Sequence, residues 1–441
     1  MPTQGHRQTS EEVLAASAVV AVTTAVAVLR RRITPPPIKI HASDKLKPLL
    51  HCLPTLLRGH RPAPLVPTGM LQSATVDAYN PSPEATPWER EEIRLAAHQN
   101  VGRTIACCPP ATPPGLVSLD WLRTTPSCES TETTPTATVG DGSAGAPVCL
   151  LIPSLTGDSR SPYLRRAAVA LQDAGMHVAC YNPRGRGGNP LLSPFMYAAG
   201  YTQDLRRVVD RIRATHPRSP LVAVGYSLGG VYLAKLLAED GESSPLAGAA
   251  ALASPVDIDR MARHLQCTWL GRLIDRLVIA PTVRATLAPY VQTEGAIGDL
   301  EAARSAWTLR LIDEGVLAPM MGCESKEQYY RESTPTLGHI RVPLLLLQAE
   351  NDPIKPSGLQ EDLERACREG TAPLLLAVTK EGGHSLTWPE GWRAESSWSE
   401  RLLIEWVRAC CGDGSLVQPA QSALSLRQAT SGAGAPPQPG A

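Results

Sequence analysis

A chain of 441 residues is long enough for one large domain with appendages or for two to three small ones. Its 42 basic and 42 acidic side chains cancel, so no global field recruits nucleic acid, and a hydrophobic fraction of 43% excludes a wholly disordered chain. The 11 cysteines stand alone or as adjacent pairs, with no Cys-x-x-Cys and no His at zinc-ligand spacing. This pattern predicts reduced, mostly buried thiols rather than a metal centre or redox chemistry.

From the N-terminus, Val13 to Leu29 is an uncharged run of 17 residues closed by Arg30, Arg31 and Arg32. That is the short end of a membrane span. Between Arg30 and Arg61 eight Lys or Arg face a single acid, Asp44, a flank drawn to anionic lipid and expected on the cytosolic side. Because the charges follow the apolar run rather than precede it, a retained single-pass anchor is expected in place of a cleaved signal. Residues 1–32 are therefore read as the anchor segment, 33–60 as a basic juxtamembrane segment and 61–411 as the folded domain. Two stretches rich in Ser, Thr, Pro and Gly, a flexible insertion at 127–146 and a disordered tail at 412–441, complete the layout.

Between about Pro147 and Cys411 short apolar runs alternate with amphipathic segments, the pattern of βαβ units and a parallel sheet. Strands are predicted at Val148–Ile152, Val178–Tyr181, Leu221–Val224, Ala247–Ala253, Pro343–Gln348 and Pro373–Val378. Helices are predicted at Tyr163–Ala174, Tyr201–Thr215, Gly229–Glu239, Leu359–Arg368 and Ser397–Ala409. The rhythm breaks at about 257–340, where a helical insertion capping the sheet is expected. Its apolar stripe of Trp269, Leu270, Leu273 and Leu277 is expected to pack over the sheet, with contact to lipid as the alternative.

After the strand at Leu221 comes Gly225-Tyr226-Ser227-Leu228-Gly229, then a helix. This is G-x-S-x-G in the strand–turn–helix setting that lifts a nucleophile above the sheet edge. The N–H of Leu228 then faces a developing oxyanion at the helix N-terminus. A serine needs a base oriented by an acid, in the order Ser, acid, His on such a sheet. Asp352 follows the run Leu344 to Ala349 and is the predicted acid, with Glu350 and Asp257 as rivals. His384, in the glycine-rich loop after the next strand, is the predicted base, since His339 precedes the acid. The loop Pro153-Ser154-Leu155-Thr156-Gly157 is expected to supply the second oxyanion donor, the N–H of Leu155.

These motifs resemble the YheT-like and embryogenesis-associated branch of the α/β-hydrolase superfamily, which includes the mammalian α/β-hydrolase domain proteins one to three. The resemblance includes Pro153 to Gly157 followed by Tyr163, Asn182 to Gly188 (NPRGRGG), Leu191, Asp313, Gly322, Tyr329-Tyr330, Ile340, Pro343 and Asn351-Asp352, with Asp120-Trp121 as an early strand. It implies an α/β-hydrolase fold and a membrane-associated serine hydrolase of phospholipids, acylglycerols or other carboxylic esters. Departures are Ser154 where glycine is usual before Leu155, Cys323 where an aromatic or Leu is usual, and Gln328 where an acid or Thr is usual. No His is followed five positions later by Asp, so hydrolysis is expected rather than the acyl transfer of some relatives. No metal or organic cofactor is required. The alternative is a hydrolase-fold scaffold that binds lipid without catalysis.

Overall fold

The computed structural model describes residues 35–62, 86–99, 111–123, 145–390 and 396–412. The apolar run Val13–Leu29, most of the insertion at 127–146 and all but Gly412 of the tail lie outside the described residues. Among the described residues no helix is long and apolar enough to cross a membrane.

Among the described residues nine strands form one sheet: β1 (Lys39–Ala42), β2 (Trp88–Leu95), β3 (Gly115–Leu122), β4 (Val148–Ile152), β5 (His177–Asn182), β6 (Leu221–Tyr226), β7 (Gly248–Leu252), β8 (Leu344–Ala349) and β9 (Leu374–Thr379). Their spatial order is β1-β9-β8-β7-β6-β4-β5-β3-β2. The six strands from β5 to β9 are parallel, and β1, β2 and β3 run antiparallel to their neighbours. Helices α1 (Pro162–Asp173) and α5 (Trp398–Cys411) cover one face. Helices α2 (Gln203–Thr215), α3 (Leu228–Asp240) and α4 (Leu359–Glu369) cover the other. Val148, Leu150 and Ile152 of β4 face one core and Cys149 and Leu151 the other. Both faces of each parallel strand are thus apolar, which is why these strands read as continuous runs. This is the α/β-hydrolase fold that the sequence predicts.

One boundary differs from the expectation. Residues 33–60 were expected to be a basic segment outside the domain, yet β1 pairs with β9 from Lys39 opposite Val378 to Ala42 opposite Leu375. The turns at Lys47–Cys52 and Pro54–Arg58 bury Leu46, Leu49, Leu53 and Leu56 beneath α5. The backbone N–H and hydroxyl of Thr55 donate to the Glu405 carboxylate at 3.0 and 2.6 Å. The leucines recur at helical spacing, so burial and not charge decides this segment's place.

Between β7 and β8 lies a helical excursion from Ile258 to Ser333. One long helix in it runs through Trp269–Ile274, a π-turn at Asp275–Ile279 and Ala280–Val291. A second π-turn occupies Asp313–Leu317. The expected packing of the Trp269 stripe over the sheet is not found: Trp269 is 72%, Leu273 41% and Leu277 66% exposed. Helical spacing marks a face without saying which side it takes, and here Gly271, Asp275 and Ala280 point inward instead. The expectation of reduced thiols also needs correction at one position, since Cys323 is disulfide-bonded; among the described residues seven other cysteines are free.

Candidate active site

The turn between β6 and α3 holds Ser227 at φ 50° and ψ −115°, a backbone state that costs a non-glycine residue on the order of 1–3 kcal/mol. The strand register pays for it. The Ser227 N–H donates to Leu252 O at 2.8 Å, and the Gly230 N–H returns to Ser227 O at 3.0 Å. A Cβ on Gly225 would lie 2.5 Å from Gly229 O, and one on Gly229 would press on the carbonyls of Ile152 and Pro153. The two small residues of the motif are therefore required by close backbone approach.

The other two predicted residues converge on this serine from the ends of neighbouring strands. His384 Nε2 is 2.9 Å from Ser227 Oγ, and its Nδ1 is 2.8 Å from Asp352 Oδ2. Asp352 is buried and its second oxygen accepts the Ile354 N–H at 2.8 Å. The histidine loop is braced by Asn351, whose Oδ1 accepts the Gly383 N–H at 2.9 Å, and by Trp388 Nε1 donating to Thr379 Oγ1 at 2.7 Å. The rival acids are engaged elsewhere. Glu350 pairs with Lys39 of β1 at 2.7 Å; Asp257 caps a helix by accepting the Arg260 N–H at 2.9 Å. His339 sits in the turn Leu337–His339 ahead of β8.

Leu155 and Leu228 both line the cavity onto which Ser227 and His384 open. Three side chains that sequence reasoning left without a role hold the Leu155 loop. On one side the Ser154 N–H donates to Tyr163 Oη at 2.9 Å, and that hydroxyl lies 3.2 Å from Ser154 Oγ. On the other the Thr156 N–H donates to Tyr197 Oη at 3.0 Å, and Arg186 donates to the Thr156 carbonyl. Burial keeps both phenols protonated, pushing Tyr163 up to about 12 and raising Tyr197 as well. Ser154, the departure from glycine, thus gains a hydroxyl partner. The NPRGRGG segment anchors the same region: Arg184 is buried and forms a two-pronged pair with Asp204 at 2.7 and 2.9 Å, and Asn182 Oδ1 accepts the Ser159 N–H at 2.8 Å. The Tyr163 and Arg186 signals lay in the resemblance; Tyr197 had none, because its contact is long-range.

The cavity encloses about 240 Å³. Away from Ser227 its wall is mainly apolar, including Met196, Ile258, Met261, Val283, Leu287 and Leu309, so it suits a hydrocarbon chain. Its wall also holds Thr282, Thr286 and one carboxyl, the buried Asp313, which accepts the Tyr330 O–H at 2.7 Å. Burial, opposed by that hydrogen bond and aided by nearby Asp275, pushes it up to about 7. Chemically, a serine hydroxyl bonded to an imidazole that is held by a buried carboxylate can lose its proton as it attacks a carbonyl, and an apolar cavity can seat the acyl group beside it.

Among curated proteins, the chain is 29% identical over 303 residues to the embryogenesis-associated protein EMB8 of Picea glauca, covering 66% of this chain and 63% of that one. It thus spans under two thirds of that relative. It is 27% identical to the mouse phospholipase ABHD3, over 68% of this chain and 70% of the relative. To the medium-chain fatty acid ethyl ester synthase/esterase 2 of Saccharomyces cerevisiae it is 28% identical, over 59% and 61%. The model of the Hydrolase_4 family, described as serine aminopeptidase, S33, matches residues 157–388, just over half of the chain and inclusive of the Ser227, Asp352 and His384 loops. The chain therefore belongs to that family, within the α/β-hydrolase superfamily.

Proposed function

We propose that the chain is a serine hydrolase of carboxylic esters, lipid esters above all, working through Ser227, His384 and Asp352. The observation that carries the reading is the unbroken path from Ser227 Oγ to His384 at 2.9 Å and from His384 to Asp352 at 2.8 Å, opening on an apolar cavity. Relatives named as phospholipase, esterase and monoacylglycerol lipase lend support to a lipid ester as substrate.

In this reading His384 Nε2 takes the Ser227 proton while Oγ attacks the ester carbonyl. The Leu228 and Leu155 N–H groups receive the tetrahedral oxyanion. Collapse expels the alcohol, which leaves with the proton held by His384, and an acyl-Ser227 remains. Water, deprotonated by His384, then releases the carboxylic acid and restores the serine. Asp352 keeps the imidazole in the tautomer that can accept at Nε2 and offsets its charge. We further propose a single anchor at Val13–Leu29, with Arg30, Arg31 and Arg32 holding the hydrolase domain at a cytosolic membrane surface.

A fluorophosphonate probe tests the chemistry. Labelling of the wild-type chain that disappears in Ser227→Ala, together with release of acid from a panel of phospholipids and acylglycerols, is the expected result. Absence of both labelling and turnover would leave a non-catalytic lipid-binding scaffold. For the anchor, carbonate extraction is expected to leave the full chain in the membrane and to release a chain starting at Thr34. Full-length protein recovered in the soluble fraction would defeat it.

A further inference from the structure

The outer face of the long cap helix is unusual for a surface exposed to water. Trp269 is 72%, Leu273 41%, Leu277 66% and Val278 58% exposed, and Trp307 beside them is 50% exposed. Single exposed apolar residues need no explanation, but a run of them along one ridge does. Two arginines, Arg272 and Arg276, are interleaved with them and exposed, without an ion pair to a carboxylate among the described residues. The Arg276 guanidinium lies over the Trp307 ring, 3.9 Å from its centroid. From Thr268 to Arg284 the sole acid is Asp275, which is buried beneath the helix. An exposed face made mainly of tryptophan, aliphatic and arginine side chains, with no exposed acid, matches the headgroup–acyl boundary of a phospholipid bilayer: the rings and aliphatic groups enter the acyl edge, and the guanidinium groups meet phosphates.

The same helix forms a wall of the cavity. Val278 is exposed and also lines the cavity, and one turn further Thr282 does the same while Val283 faces inward. We propose that this ridge of the cap is a membrane-docking surface, which seats the cavity mouth on the bilayer so that an ester chain passes from lipid to Ser227 without crossing water. The docking rests on the ester-hydrolase reading only for its kinetic consequence; the physical contact is independent of catalysis and of the N-terminal anchor.

The test uses the full chain with vesicles of phosphatidylcholine and phosphatidylserine whose acyl chains carry bromine, a contact quencher of tryptophan. The expected result is quenching of which more than half is lost on the paired substitution Trp269→Leu and Trp307→Leu. That pair keeps the ridge apolar but removes its reporters. Quenching unchanged by the pair, or none in the wild-type chain, would overturn the proposal whether or not the protein hydrolyses anything. In a second arm, Leu273→Glu with Leu277→Glu is expected to lower turnover of a vesicle-borne ester by about tenfold or more, from the lost burial of two leucines, and to leave turnover of a soluble short-chain ester unchanged. An equal fall on both substrates would overturn it. So would a lipid-free dimer in sedimentation that Leu277→Glu disperses, because the ridge would then belong to a second copy.

Discussion

Strain at Ser227 is held in place by contacts that leave no room for a side chain on the glycines flanking it. Gly229→Ala would set a methyl group against the carbonyls of Ile152 and Pro153. The expected outcome is a loss of about 1–3 kcal/mol of stability with near-complete loss of ester turnover, read by denaturant unfolding and by assay. Asp352→Asn keeps the shape but holds the imidazole in the wrong tautomer, so kcat is expected to fall by about 10⁴-fold. Ser227→Ala should cost more, about 10⁶-fold. If Asp257→Asn proves more damaging than Asp352→Asn, the acid has been misassigned. The convergence of Ser227, Asp352 and His384 was legible because each follows a buried strand in a fixed order. Tyr197 was not, because its hydroxyl reaches Thr156 from 41 residues away, and no local pattern encodes such a contact.

At the scale of elements, the cap carries a buried charge question that the sheet does not. Asp313 opens a π-turn at the cavity wall, and burial first, then nearby Asp275, raises its carboxyl to about 7. From the ordinary carboxylate range up to that value the folded chain keeps a proton that the unfolded chain has lost. Stability from this group therefore falls as pH rises through the window and is fully lost above about 7. Asp313→Asn still accepts the Tyr330 O–H but never ionises. It is expected to stabilise the protein at pH 8 by about 2–4 kcal/mol and to have little effect at pH 4, measured by urea unfolding at both. A gain of equal size at both pH values would show that ionisation is not its source. The helical character of the cap was legible from periodicity, but the direction of its apolar stripe was not. Only the packing of Gly271, Asp275 and Ala280 inward decides that Trp269 and Leu277 face out.

For the whole molecule, the six parallel strands could be read to within about two residues, since burial on both faces makes them continuous apolar runs. The antiparallel edges escaped notice for the opposite reason. β1 has four residues among basic ones, and β2 has five charged side chains in eight, so neither announces a core strand. The N-terminal edge nevertheless belongs to the cooperative unit. A chain beginning at Thr34 is expected to fold, and one beginning at Arg61 to lose its two-state transition, because the latter strips β1 from β9 and uncovers α5 where Leu46, Leu49, Leu53 and Leu56 pack. His60 adds a pH signature to the same segment. Its ring is fully buried near the Trp398 ring, with centroids 5.6 Å apart, and burial lowers its pKa to about 4. Between the ordinary imidazole value, about 6.5, and about 4 the unfolded chain binds a proton that the folded chain refuses. Stability from this group is therefore complete above about 6.5 and drains away as pH falls toward 4. His60→Phe removes the titration while keeping a ring beside Trp398. The expected outcome is a shallower loss of stability between pH 6.5 and pH 4, read as the slope of unfolding free energy against pH. A slope unchanged from wild type would mean that the imidazole already takes up its proton in the folded state, and that the N-terminal edge opens to water more readily than its packing implies.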